Sequence, residues 1–258
     1  ARPEFNQLVS DPFSRPKPVV VLGPPGSGKS ALLSRAAIEW LGQGFSVLCI
    51  IADMLSNEVL SNDDLSREVG VRGDLVSAVR AAASVGRVLV VCDQLDALAD
   101  LLDVDTQRLN LLMEAITEIA TIENVRLVLS CRSFDFKHDT RFQRLDAVAL
   151  NLEPLPVEVV TQMLRAHGVE TEQLPFGLID LLRLPKALYI FFQVYAPPAQ
   201  SSPGTLVALI EALWNLHLPQ NAFDLDVSAQ EVAKLMAERE ELWLSRKLLS
   251  TLGHISAA

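Results

Sequence analysis

Up to residue 153, apolar positions along the chain come in two spacings. Short unbroken apolar runs predict five strands: PVVVLG (18–23), SVLCIIA (46–52), VLVVCD (88–93), VRLVLSC (125–131) and AVALNL (147–152). Runs that are continuous rather than alternating fit strands covered on both faces. Between them, apolar residues recur at helical spacing in SALLSRAAIEWL (30–41), GDLVSAVRAAASVG (73–86) and TQRLNLLMEAITEIAT (106–121). The first of these helices stops at Gly42 and Gly44, the second at Gly86. Strand and helix in alternation predict an α/β fold, a parallel sheet with helices on each side.

Beyond residue 153 the strand pattern ends. PVEVVTQMLRAHG (156–168), FGLIDLLRL (176–184) and KALYIFFQVYA (186–196) have helical spacing. APPAQSSPG (196–204), rich in Pro and Ser, reads as a linker or turn. TLVALIEALWNLHL (205–218) and SAQEVAKLMAERE (228–240) predict two more helices, the second capped by Ser228 with Glu231 three residues on. Trp214 and Trp243 read as packing residues. The texture divides the chain into a core (1–153), a small helical domain (154–200) and a third segment (201–258). The chain opens on Ala1 rather than Met, as expected of a piece of a longer protein.

Charge and cysteine usage narrow the classes. A net charge of -10 and a pI near 4.9 do not attract phosphate backbones over a whole surface, so nucleic acid is not expected as a partner of this segment. Lys137, Arg141 and Arg144 form either a local basic patch or a solvated face. The most apolar stretch, LLRLPKALYIFFQVYA (181–196), is interrupted by Arg183, Pro185 and Lys186, so no membrane span is expected. The N-terminus lacks a signal-peptide layout. Cys49, Cys92 and Cys131 are far apart in sequence, which is neither a disulfide framework nor a metal spacing. They read as buried, reduced thiols of a cytoplasmic protein.

GPPGSGKS (23–30) matches G-x-x-x-x-G-K-[ST] between a predicted strand and a predicted helix. Gly23, Gly26 and Gly28 let the backbone wrap phosphates, so that successive N–H groups point at them, and Pro24, Pro25 and Ser27 complete the phosphate-binding stretch. Lys29 is expected to reach the β- and γ-phosphates. Ser30 is expected to ligate magnesium, and Ala31 continues the helix whose N-terminus faces the anion. Asp93 ends an apolar strand downstream, where the second magnesium-organising acid belongs. The strand at 46–52 falls between the two motifs in sequence, which fits the P-loop division in which an extra strand separates loop strand from acid strand. Arg132, just past the 125–131 run, is either a γ-phosphate sensor or a surface residue, and Ser130 is a weaker sensor candidate.

Together GPPGSGKS, VLVVCDQLD, VRLVLSCR and the later LPKAL resemble the STAND class of signal-transduction P-loop ATPases, above all its NACHT-like, bacterial signalling and defence members. The resemblance implies a P-loop ATPase core, a small helical lid and the start of a winged-helix-like domain that stops before its wing. In that class an apolar strand is followed by Asp, a variable residue, an apolar residue and a second acid, and Asp93, Gln94, Leu95 and Asp96 fit. It implies that Lys29, Asp93, Asp96 and Arg132 carry the chemistry, with Asp96 positioning or polarising the attacking water. Gln94 has no ionisable group and is no general base, though it can orient water. Pro185 of RLPKAL resembles the proline that packs near adenine, with Arg183 where the family has glycine. Leu8 and Val9 are adenine-pocket candidates or core residues, and His217 and His254 read as helix-surface histidines. FDFKHDTRFQRL (134–145) is similar to bacterial members without an evident mechanism.

The resemblance therefore implies ATP/ADP and Mg2+ as ligands and slow hydrolysis. Nucleotide would act as a conformational switch, with self-association in the ATP state and a trigger read by domains outside this segment. The choice of adenine rests on the family, since no N-K-x-D motif is present. An AAA-type DNA-linked ATPase would more typically carry Asp-Glu at 93–94 and a basic surface. A small-molecule kinase would leave the helical tail unexplained, and a scaffold that has lost nucleotide would not need Lys29 and Ser30.

Overall fold

Five parallel strands make one sheet: β1 (Val19–Leu22), β2 (Ser46–Ile51), β3 (Val88–Asp93), β4 (Val125–Cys131) and β5 (Val148–Asn151), in the order β2-β3-β4-β1-β5. These come from a computed structural model that describes residues 2–9, 17–56, 58–99, 107–196, 202–217 and 234. The chain divides into two compact units, Ala1–Pro154 and Leu155–Ala258.

In the first unit, side chains along each central strand alternate between two cores, as the two-residue period of a strand requires. Val20, Leu22, Val90, Cys92, Leu127, Leu129 and Cys131 enter one core; Val19, Val21, Leu89, Val91 and Val128 enter the other. Both faces are therefore dry, which is why these runs are apolar throughout. Helix α2 (Lys29–Gly42) lays Leu32, Leu33, Ala36, Ala37 and Trp40 on the second face, joined by Phe5 and Leu8 of the short helix α1 (Pro3–Val9). Leu8 is thus a core residue, with Val9 packed beside it. Helices α3 (Asn62–Glu68), α4 (Leu75–Val85) and α5 (Gln107–Ile119) cover the first face. Side-chain caps start two of them: Ser61 Oγ accepts from Asp64 N–H, and Asp74 accepts from Ser77 N–H. Two short helices, α6 (Ser133–His138) and α7 (Thr140–Gln143), link β4 to β5. There Arg141 is forked onto Asp139, while Lys137 and Arg144 are exposed, so of the three basic residues only two stand as a solvated face.

Two expectations change. The strand that separates β1 from β3 in space is β4; β2, the one between the motifs in sequence, lies at the sheet edge. For the same reason Cys49 is exposed, not buried: an edge strand has a neighbour on one side only, and of β2 only Ile50 is fully covered. Cys92 and Cys131 are buried as expected, and burial pushes both thiols up, Cys131 to about 12. In the folded protein a thiol reagent at pH 8 is expected to modify Cys49 alone, with all three cysteines reacting after denaturation. Mass mapping of the labelled peptides checks this, and rapid native labelling of Cys92 would contradict the packing.

The second unit holds α8 (Val157–Ala166), α9 (Leu178–Leu182), α10 (Pro185–Val194) and α11 (Leu206–His217). Val160, Leu164, Leu178, Leu182, Ala187, Leu188, Ile190, Phe191 and Leu209 form its core. Arg183 and Leu155 tie the unit's entry to the end of α9: Leu155 N–H donates to Arg183 O, and Arg183 Nε donates to Leu155 O, both at 2.9 Å. Trp214 is 46% exposed, contrary to its reading as packing. Leu209 and Leu213, one turn apart, take the inward stripe of α11, and Trp214 stands a further 100° round the helix. His217 is exposed at the end of that helix. Ser228, Glu231, Trp243 and His254, and with them most of the expected third segment, lie outside the described residues. No helix among the described residues is long and apolar enough to cross a membrane.

Candidate nucleotide site

Parallel strands point the same way, so β1, β3 and β4 deliver their C-terminal residues to one edge of the sheet. The loop Gly23–Ser30 leaves β1 and runs directly into α2. Gly26 and Gly28 have φ of 78° and 93°, left-handed backbone that a side chain would strain. Gly23 matters for space: a Cβ there would come within 2.7 Å of Ser27 Oγ. Ser27 is itself buried, 3% exposed, and its hydroxyl has no hydrogen-bond partner. The first turn of α2 exposes Ser30 and Ala31.

Lys29 is only 9% exposed, and its Nζ donates to Gly23 O at 2.8 Å and to Pro24 O at 3.3 Å. Burial pushes the ammonium below its ordinary value, while the carboxylates of Asp96 and Asp93 pull it back up and Arg132 pushes it down. Asp93, Asp96 and Arg132, singled out from separate motifs, are thus all close enough to Lys29 to act on its charge at one sheet edge.

Asp93 closes β3, half-buried, and its Oδ1 accepts from Ser130 Oγ on the neighbouring strand. Gln94 then turns the chain with φ 60°, and a short 3₁₀ turn (Leu95–Leu98) places Asp96 under the end of β4. Both oxygens of Asp96 are engaged by one residue. Oδ1 accepts from Arg132 N–H at 2.9 Å, and Oδ2 pairs with Arg132 Nε at 2.9 Å. Asp96 is buried while Arg132 keeps 43% of its side chain in solvent. Pro185 belongs to the second unit, where it opens α10 at a position that needs no N–H.

The sequence matches the family described as Novel STAND NTPase 1 over residues 2–171. The chain belongs to this family of STAND NTPases. No curated protein matches it. Among solved structures, this STAND NTPase is similar to the replication initiator DnaA bound to AMPPCP and single-stranded DNA, at 14% identity and a TM-score of 0.50, covering 90% of this chain and 65% of that one. AMPPCP-bound DnaA from Aquifex aeolicus matches at 17% identity and a TM-score of 0.49, over 75% of this chain and 62% of that one. PCH-2 of C. elegans matches at 18% identity and a TM-score of 0.40, over 83% of this chain and 65% of that one. The chain thus spans less than two thirds of each of these proteins. The likeness to the DnaA complex shows the fold, a P-loop ATPase sheet, and family membership makes the chain a nucleotide-binding module of that kind.

The loop fits an anion: it brings together the buried, partnerless hydroxyl of Ser27, the left-handed Gly26 and Gly28, and the desolvated ammonium of Lys29. Magnesium also fits the donor types, since the Ser30 hydroxyl and the Asp93 carboxylate are hard oxygen donors. Among the described residues no cluster of three or more His, Cys, Asp or Glu is arranged to hold a metal alone. A site with two protein oxygens suits magnesium, which keeps several of its waters and takes the rest from phosphate.

Proposed function

We propose that this chain is an ATP/ADP-binding switch module of a larger signalling protein, with slow magnesium-dependent hydrolysis that controls conformation and self-association. The observation that carries the reading is the state of the two residues next to Asp93. Gln94 does not ionise, and Asp96 has both oxygens engaged by Arg132. A rapid ATPase needs a base free to orient and deprotonate water; a switch needs charged groups that change partner when phosphate arrives.

In this reading Lys29 binds the β- and γ-phosphates, and Ser30 and Asp93 hold magnesium, which when bound neutralises charge on the phosphate oxygens. Arg132 exchanges Asp96 for the γ-phosphate, and that exchange frees Asp96 to position water. Residues 1–153 are the ATPase core, 154–200 a small helical lid domain whose Pro185 stands where the family has its adenine-packing proline, and 201–258 the start of a winged-helix-like domain. The compact units that meet after Pro154 support the first boundary, and the AMPPCP in the DnaA complex supports an adenine nucleotide. The trigger and the effector lie in domains outside this segment. The net charge of -10 argues against a DNA-binding surface over the segment as a whole.

The test is to denature purified protein and identify the released nucleotide by chromatography. Stoichiometric ADP is expected, with turnover of added ATP slower than its exchange. An empty site with rapid turnover would overturn the switch reading in favour of a working motor or loader ATPase.

A further inference from the structure

Ser130 is fully buried near the end of β4, one strand away from the acid it touches. Its hydroxyl donates to Asp93 Oδ1 and accepts the N–H of Gln94 at 2.9 Å. A serine hydroxyl has a single proton to give. That proton is spent on Asp93, so Ser130 has none left for a phosphate oxygen and is not a γ-phosphate sensor. What it does instead is set two things at once. It occupies one oxygen of Asp93 and so fixes which oxygen remains for a metal. It also anchors the N–H of Gln94, a non-glycine residue held at φ 60°, and thereby the turn that carries Asp96 to Arg132.

We infer that Ser130 is a positioning residue for magnesium, acting through Asp93 and through the Gln94 turn rather than by touching nucleotide. The inference rests on the nucleotide-switch reading and sharpens it: metal affinity is set by a side chain on β4, the same strand that leads into Arg132. Hydrogen-bond partners behind a metal ligand commonly carry about 10- to 100-fold of the metal affinity.

The experiment follows binding of a fluorescent ADP analogue to the whole chain, first in EDTA and then across a magnesium titration, for the wild type, Ser130→Ala and Ser130→Thr. The expected result is EDTA binding unchanged in all three proteins. The magnesium midpoint is raised about 10- to 100-fold in Ser130→Ala and returned close to wild type by the hydroxyl of Ser130→Thr. An unchanged midpoint in Ser130→Ala, or a loss of the same size in EDTA, overturns the positioning role. A wild type that binds no nucleotide, or binds it without regard to magnesium, removes the switch reading itself and the inference with it.

Discussion

Lys29→Ala is expected to empty the site. The ammonium lies almost wholly out of water and is held by the carbonyls of Gly23 and Pro24, so it is already aimed along the inside of the loop. Its desolvation has been met in folding, as its lowered pKa records. A phosphate arriving there gains a charge-assisted contact without having to strip that water again. Each hydrogen bond to a charged group contributes about 1.5–3 kcal/mol, so losing the ammonium weakens nucleotide binding by about 100-fold or more. Lys29→Met separates charge from bulk: it keeps an apolar stem in the packed space and is expected to lose binding equally while unfolding at nearly the wild-type temperature. Calorimetric titration with ADP, alongside a thermal melt, decides it. Retention of ADP within a few-fold by both variants would move the binding site away from this loop.

The second large effect is expected from Asp96→Ala, and it is an effect on the empty protein. Asp96 holds a backbone N–H and a guanidinium together, and its side chain is 7% exposed. Removing it leaves the Arg132 N–H without its acceptor and Lys29 without its strongest carboxylate neighbour. Breaking a fully buried pair in this way costs about 3–5 kcal/mol. Because Arg132 is 43% exposed and its head can turn to water, about 2–3 kcal/mol is the better expectation. A double-mutant cycle with Arg132→Ala isolates the pair. In urea unfolding, the two single changes and the double are expected to be non-additive by about 1 kcal/mol or more. Arg132→Ala keeps the N–H that Asp96 Oδ1 accepts, so the cycle reads the guanidinium contact alone, and additivity would mean that this contact is not a latch.

Strand limits were legible because both faces of the central sheet are dry. PVVVLG, VLVVCD and VRLVLSC contain β1, β3 and β4 with little to trim. The loop motif pointed to Lys29, the strand ends to Asp93 and Arg132, and the family resemblance alone to Asp96; the fold brings all four to one sheet edge. What periodicity does not encode is lateral order. SVLCII is as apolar as the inner strands, yet β2 is an edge, and Cys49 is exposed in consequence. Short helices also escaped: α3, α6 and α7 have 7, 6 and 4 residues, too few turns for a 3.6-residue period to repeat. Ser130 shows the deepest limit. SCR marks the strand end, but whether the serine faces phosphate or its neighbour's carboxylate depends on register between β3 and β4, which lies 36 residues away from Gln94 along the chain.

The sheet order has a consequence for synthesis. Val19 pairs with Val128 on one side and Val148 on the other, so β1 is an inner strand whose two neighbours are both made after β2 and β3. At about 5–20 residues per second, the nascent chain carries an unpaired VVVL segment for on the order of ten seconds before either partner emerges. That is the interval in which the segment is most open to chaperones or to pairing with a second nascent copy. Until β4 is made, nothing joins β1 to β3, and the loop that carries Lys29 is not held beside Asp93 and Asp96 at one sheet edge.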